Sequence, residues 1–125
     1  MASVYSATVA VVDDDSRLLE ALENLLTSAG YETLLFSSAE QFLAADVLHE
    51  VVCVISDIEM PLMSGVELLS AIRRITPEMP VILISAHCSS HEASVYTDLG
   101  ANLYLPKPFD ATDMLRAIRE SIPPL

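Results

Sequence analysis

The strict alternation of apolar runs and helical patterns constrains the fold of this chain more than any other feature of its sequence. Five short runs rich in Val, Ile and Leu span residues 8–12, 32–36, 51–56, 81–85 and 101–105. Near-continuous apolar runs of this length predict strands that are buried on both faces, as in a parallel sheet. A stretch with apolar residues at helical spacing follows each run, so the sequence predicts five strand–helix units.

Capping residues mark where several of these helices begin. Asp15 is the expected N-cap of the first helix, and Asp110 is the expected N-cap of the fifth. Ser37 and Glu40 have the spacing of a capping box, which predicts a short second helix. In the third helix, "SGVELLSAIRRI", helical spacing places four residues on the buried face, namely Val66, Leu69, Ile72 and Ile75.

Strand–helix units with right-handed crossovers predict an α/β doubly wound sandwich. Five strands in a chain of 125 residues favour the flavodoxin-like (βα)5 architecture, a parallel five-stranded sheet in the order 2-1-3-4-5. We expect residues 1–125 to form one domain. Residues 122–125 are where a linker to an effector domain, absent from this chain, could begin.

Composition excludes several classes of function. A net charge of −12 argues against direct binding of nucleic acid, which needs a basic surface. No apolar run approaches the roughly 20 residues of a membrane span. No basic segment precedes the first apolar run, and the two cysteines have the context of free thiols, so we expect a cytoplasmic protein.

Polar side chains follow four of the five predicted strands. Asp13 and Asp14 follow the first strand, Asp57 the third, Ser85 ends the fourth, and Lys107 follows the fifth. Because ligands bind beyond the carboxyl ends of the strands in such sheets, we expect these side chains to meet at one site. Each residue alone has an ordinary explanation as a turn residue or a solvated charge, but their joint placement favours a site.

The electrostatics of this cluster predict a bound cation. Two unit charges about 4 Å apart repel by about 4 kcal/mol at an effective dielectric constant of 20. Lys107, the chain's single lysine, cannot balance three carboxylates, whereas a divalent cation can. A carboxylate-rich site with waters suits Mg²⁺, and with the cation and Lys107 together the cluster could accept a phosphoryl group.

These motifs resemble the receiver domain of two-component response regulators. The segments "VVDDDS", "SDIEMPLMSGVELL", "ILISAH" and "YLPKPF" have that family's order and spacing, and the resemblance covers essentially the whole chain. "SSAEQFL" and "MPLMSGVELL" are also similar to the FixJ-type subgroup, whose members often carry a C-terminal helix-turn-helix. The resemblance implies a phosphorylation-dependent signalling switch that controls a transcriptional output. It implies catalysis of the domain's own phosphorylation and dephosphorylation, not a conventional enzyme.

The resemblance also implies residue roles at the acidic cluster. Asp57 matches the phosphoacceptor, which forms an acyl phosphate. Asp13 and Asp14 match the acidic pair that holds Mg²⁺, for which Mn²⁺ can substitute. Asp57 and the backbone carbonyl of Glu59 are expected to supply further ligand oxygens.

The remaining implied roles concern phosphoryl binding and the switch. Lys107 matches the lysine that pairs with the phosphoryl oxygens, and a cis bond between Lys107 and Pro108 is expected. Ser85 matches the switch hydroxyl and Tyr104 the switch aromatic. The implied partners are a sensor histidine kinase or a phosphotransfer protein, with a homodimer through the fourth helix, fifth strand and fifth helix after phosphorylation. Neither nucleic acid nor membrane is expected to bind this domain directly.

Some residues depart from the family's commonest pattern. Ser85 stands where threonine is frequent, which keeps the hydroxyl. Glu59 and His87 occupy positions that tune the loss of phosphate in the family. His87, Cys88 and His91 fit no strong zinc pattern, and a surface or capping role is favoured for them.

Two other classes of protein use a similar fold or chemistry. A hydrolase of the haloacid-dehalogenase kind would need a second Asp two residues after the nucleophile, where this chain has Glu59. A flavodoxin-like binding module would need a Ser/Thr/Gly-rich phosphate loop after the first strand. The sequence "DDDSR" at that position would instead repel a phosphate.

Overall fold

The structure, a computed structural model, describes residues 7–86 and 90–122, with the backbone alone for 90–92. Within these residues the strands are β1 (Thr8–Val12), β2 (Glu32–Phe36), β3 (Cys53–Asp57), β4 (Val81–Ser85) and β5 (Leu103–Pro106). The α-helices are α1 (Ser16–Ser28), α2 (Ala39–Ala45), α3 (Gly65–Ile75), α4 (Ser90–Asp98) and α5 (Ala111–Ser121), and a 3-10 helix spans Leu48–Glu50.

The strands form one sheet in the order β2-β1-β3-β4-β5, and every neighbouring pair is parallel. This confirms the predicted flavodoxin-like order. The predicted bounds of two strands are displaced towards the carboxyl end of the sheet. β3 ends on Asp57, one residue later than predicted, and β5 includes Pro106, which pairs with Ser85.

Alternating residues of the strands build a separate core on each face of the sheet. Val9 and Val11 of β1 face the helices α1 and α5, together with buried residues such as Leu26 and Ile118. Ala10 and Val12 face the opposite side, where α2 and α3 pack. Because both faces are covered, the strands are apolar throughout, which is why their runs are continuous in the sequence.

Side-chain caps begin the helices largely where the sequence indicates. Asp15 accepts a hydrogen bond from the N–H of Arg17 at 3.0 Å, and Asp110 accepts one from the N–H of Asp113 at 2.8 Å. The predicted Ser37–Glu40 capping box is wrong by one residue. Ser38 is the N-cap of α2, and its hydroxyl accepts from the N–H of Gln41.

The third helix begins at a complete capping box, in which Ser64 and Glu67 each accept from the other's backbone N–H. Its buried face includes Leu69 and Ile72, as predicted. Ile75, which the spacing places on that face, is instead 61% exposed, because it is the last residue of α3. None of the described helices is both long and apolar enough to cross a membrane.

Candidate functional site

The carboxyl ends of four strands bring the predicted site residues together. Asp13 directly follows β1, Asp57 ends β3 and Ser85 ends β4. Lys107 follows β5, and its backbone N–H donates to the carbonyl of Ser85 at 2.7 Å. The sheet register therefore places these residues at adjacent strand ends, as the sequence predicts.

Lys107 lies between two buried carboxylates. Its Nζ atom is 3.3 Å from Oδ2 of Asp13 and 3.3 Å from Oδ1 of Asp57. The other oxygen of Asp13 accepts the N–H of Asp15 at 2.9 Å. The peptide bond between Lys107 and Pro108 is cis, which confirms that expectation. One ammonium group is thus shared by two carboxylates that are almost fully removed from water.

The charge states of the site reflect this shortage of positive charge. The pKa of Asp57 is raised from 3.8 to about 6, chiefly by burial and also by the neighbouring charge of Asp13, while Lys107 opposes the increase. Burial also raises the pKa of Asp13 above its usual value. Burial alone would lower the pKa of Lys107, but the charges of Asp13 and Asp57 outweigh it and raise that pKa.

A third carboxylate completes a group with the geometry of a cation site. Asp13, Asp14 and Asp57 each offer one oxygen, and the three oxygens lie within 4.8 Å of one another. Asp14 is exposed, so a cation could enter from solvent. Oδ1 of Asp57 is buried and accepts no hydrogen bond from the described residues. Hard carboxylate oxygens in this number fit Mg²⁺, so the residues present suit the predicted cofactor.

The sequence did not predict the importance of Gly65, the first residue of α3. A Cβ atom added there would overlap the carbonyl oxygen of Asp57 and lie 2.9 Å from Cα of Ile58. The N–H of Gly65 donates to the carbonyl of Ile58 at 2.9 Å. Gly65 therefore lets the start of α3 pack directly on the backbone that carries Asp57.

The side chain of Glu59 has a contact that the sequence did not predict. Its carboxylate accepts the hydroxyl of Ser85, with Oγ 3.0 Å from Oε1 and 2.8 Å from Oε2. Ser85 is fully buried, whereas Glu59 is exposed. For Glu59, the sequence implies a backbone carbonyl as a metal ligand and a position that tunes phosphate loss, but no contact with Ser85. Glu59 and Ser85 are 26 positions apart, so their contact depends on tertiary structure. The only sequence signal for it is the location of Glu59 two residues after Asp57.

Tyr104, the predicted switch aromatic, lies on β5 next to the site. Its ring centroid is 5.3 Å from that of Tyr96 on α4, with the two rings tilted by 36°. Tyr104 is half-buried and packs against the core on the α2 and α3 side of the sheet. His87 and Cys88 lie outside the described residues, as does the side chain of His91, so the structure does not describe their environment.

An apolar cavity of about 460 Å³ borders the charged cluster. It lies between α1 and the segment that begins α5, and Leu18, Leu22 and Phe109 contribute to its walls. Lys107 and Pro108 line the same cavity, so it is continuous with the cluster.

Comparison with known proteins gives a consistent match. Residues 9–119 match the response regulator receiver domain family. The chain is 38% identical over 112 residues to the DNA-binding transcriptional regulator NtrC of Klebsiella pneumoniae, covering 90% of this chain and 24% of NtrC. It is 37% identical over 117 residues to the transcriptional regulatory protein FixJ of Azorhizobium caulinodans, covering 94% of this chain and 56% of FixJ.

Solved structures agree. A response regulator receiver domain protein from Clostridium thermocellum superimposes with a TM-score of 0.84 at 34% identity, covering 93% of this chain and 94% of that one. The predicted similarity to FixJ is confirmed, and the similarity to NtrC is equally high. The chain spans about a quarter of NtrC and about half of FixJ. These matches do not favour the haloacid-dehalogenase alternative, and the chain belongs to the response regulator receiver domain family.

Proposed function

We propose that this domain is a phosphorylation-dependent signalling switch whose phosphoacceptor is Asp57. The observation that carries the proposal is the charge imbalance of the site. Two buried aspartates share the single ammonium of Lys107, and a third carboxylate lies within 4.8 Å of both. Such an arrangement is costly for the isolated domain but suits a site that must hold a cation and a transferred phosphoryl group together.

Each side chain has a distinct part in the proposed transfer. A carboxylate oxygen of Asp57 attacks the phosphorus of a phosphohistidine, the new P–O bond forms, and the histidine nitrogen leaves with the electron pair of the broken P–N bond. Lys107 is already 3.3 Å from Oδ1 of Asp57, so its ammonium can pair with a phosphoryl oxygen. Positioning and charge neutralisation of this kind are the main protein contributions to phosphoryl transfer.

We propose Mg²⁺ as the cofactor, held by Asp13, Asp14 and Asp57, with the backbone carbonyl of Glu59 as a further ligand. When bound, the cation neutralises negative charge on the aspartates and on the phosphoryl oxygens. Mn²⁺ can substitute because it prefers the same oxygen ligands.

The proposed phosphodonor is a sensor histidine kinase or a phosphotransfer protein. The apolar cavity beside Lys107 supports a protein donor, since it offers burial next to the reacting carboxylate. The proposed output is transcriptional, because NtrC and FixJ are described as transcriptional regulators. Ser85 and Tyr104 are proposed to rearrange on phosphorylation, changing the surface of α4, β5 and α5, through which the phosphorylated domain would form a homodimer.

Intact mass spectrometry tests the chemistry directly. The protein is incubated with acetyl phosphate and Mg²⁺, in parallel with Asp57→Asn and with a control, Asp98→Asn, at the exposed end of α4. The parent and the control should each gain one phosphoryl group, and Asp57→Asn should gain none. A phosphoryl gain in Asp57→Asn, or none in the parent, would overturn the proposal.

A further inference from the structure

Ser85 and Glu59 form a hydrogen bond at the mouth of the site that the transfer chemistry does not use. Both carboxylate oxygens of Glu59 lie within 3.0 Å of the Ser85 hydroxyl oxygen. A bond from a hydroxyl to an ionised carboxylate is roughly twice as strong as one between neutral groups. Since Ser85 is fully buried and Glu59 is exposed, the carboxylate reaches inward from the surface to this hydroxyl.

The hydroxyl of Ser85 has only one hydrogen to donate. A phosphoryl group on Asp57 would present acceptor oxygens at the same edge of the sheet, one strand away from Ser85. The hydrogen that now points to Glu59 is therefore the hydrogen that a phosphoryl oxygen would need. The two acceptors compete for it.

The negative charge of Glu59 also disfavours a phosphoryl group on Asp57. The carboxylate of Glu59 lies within 3.0 Å of the Ser85 hydroxyl, at the strand end next to Asp57, so it places negative charge beside the site. A phosphoryl group would add further negative charge at this place. Glu59 thus disfavours the loaded site through its hydrogen bond and through its charge, and an experiment must separate the two effects.

We propose that Glu59 is a positioning residue that holds the Ser85 hydroxyl in the unphosphorylated arrangement and must release it before the switch can change state. This inference rests on the proposed function of Asp57. According to this proposal, the side chain of Glu59 in "SDIEMP" opposes activation, in addition to any effect that its position has on phosphate loss.

Beryllofluoride, which mimics a phosphoryl group on an aspartate, is a suitable probe. Its dissociation constant is measured by calorimetry with Mg²⁺ for the parent, Glu59→Gln and Glu59→Asp. Glu59→Gln should bind about tenfold more tightly, because a neutral acceptor holds the hydroxyl less strongly. Glu59→Asp keeps the charge but shortens the side chain away from Ser85, so it too should bind more tightly than the parent.

The same substitutions in a Ser85→Ala background isolate the hydrogen bond. Without the hydroxyl, replacing Glu59 should change beryllofluoride affinity much less. Ser85→Thr keeps a hydroxyl and should keep the dependence on Glu59, which provides the comparison if Ser85→Ala does not fold.

Three results would overturn the inference. Equal beryllofluoride affinities for the parent and Glu59→Gln would show that Glu59 does not restrain the Ser85 hydroxyl. A parent-like Glu59→Asp, with the effect of Glu59→Gln unchanged in Ser85→Ala, would leave charge repulsion alone as the cause. Absence of beryllofluoride binding by every variant, together with no phosphoryl gain on Asp57, would instead remove the proposed function itself.

Discussion

Charged side chains at the two ends of the sheet differ in how well they are paired. At the amino ends of β4 and β5, Arg73 of α3 donates to three neutral acceptors. These are the carbonyl of Gly100 at 2.7 Å, the carbonyl of Met79 at 2.6 Å and the side-chain oxygen of Asn102 at 3.0 Å. Asn102 in turn accepts the N–H of Val81, so the network joins α3 to both strands.

At the carboxyl ends of the strands, negatively charged groups outnumber positively charged ones. Asp13 and Asp57 compete for one ammonium at 3.3 Å from each, and Asp14 adds a third negative charge close by. Oδ1 of Asp57 is buried, and beyond its ion pair with Lys107 it accepts no hydrogen bond from the described part of the chain. The carboxylates at this end of the sheet are fully paired only when a ligand brings positive charge.

The amino end of the sheet therefore contributes to stability, and the carboxyl end contributes to ligand binding. A charged group that makes several hydrogen bonds to neutral acceptors stabilises the fold, whereas carboxylates in excess weaken it and create affinity for a cation. The contrast predicts opposite signs for substitutions at the two ends of the sheet.

The largest expected effect is at the amino end. Arg73→Ala removes hydrogen bonds to the carbonyls of Met79 and Gly100 and to Asn102, and should lower the free energy of unfolding by about 2–4 kcal/mol. The neighbouring Arg74 is exposed on the same helix, so Arg74→Ala should change stability by less than about 0.5 kcal/mol. Urea unfolding at neutral pH measures both. Equal effects of the two substitutions would contradict the structural role assigned to Arg73.

Asp57→Asn should stabilise the cation-free domain. The pKa of Asp57 rises from 3.8 to about 6 on folding, so its ionised form costs about 2–3 kcal/mol above pH 6. Because the folded pKa is the higher one, this cost is absent below the unfolded value, grows as pH rises from the unfolded to the folded value, and is complete above the folded value. Asp57→Asn should therefore exceed the parent in stability at pH 7 and lose the advantage between pH 6 and pH 4.

Urea unfolding across this pH range, in a chelator, provides the measurement. The exposed Asp14 belongs to the same acidic group, so Asp14→Asn is the matched control and should give a much smaller gain. A stability difference between Asp57→Asn and the parent that does not depend on pH would show that ionisation of Asp57 is not its cause.

The fold was readable from the sequence because its signals are local. Buried strands give continuous apolar runs, and Asp15 and Asp110 cap helices through their own neighbouring N–H groups. The Ser37–Glu40 prediction failed because Ser38 and Gln41 offer the same spacing one residue later, and local pattern alone does not choose between them. Ile75 continues the helical spacing of α3, but it is the last residue of the helix and is exposed.

The site was readable in part for a related reason. Strand ends of a parallel sheet meet at one edge, so Asp13, Asp57 and Lys107 could be grouped before any distance was known. The bond from Ser85 to Glu59 and the close approach of Gly65 to Asp57 could not, since both depend on how the β3–α3 segment packs against its neighbours. The sequence thus identifies the charged groups, and the structure identifies what holds them in place.

Backbone strain gives the smallest expected effect, and it also differs between the two ends of the sheet. Among the described residues, those with positive φ at the amino end are Gly30, Gly100 and Asp46, which tolerate that conformation. At the carboxyl end, Leu62 has φ 67° in the segment between Asp57 and α3, and it is 91% exposed. Leu62 therefore bears strain without compensating burial.

Leu62→Gly should raise the free energy of unfolding by about 0.5–1 kcal/mol, because relief of the left-handed conformation outweighs the added entropy of the unfolded chain. Leu99, at the end of α4, is also exposed but is not among the residues with positive φ, so Leu99→Gly should instead destabilise by a similar amount. Thermal unfolding of both variants tests the pair. If Leu62→Gly destabilises as Leu99→Gly does, then Leu62 contributes more through contacts than it costs in strain, and strain would not distinguish the two ends of the sheet.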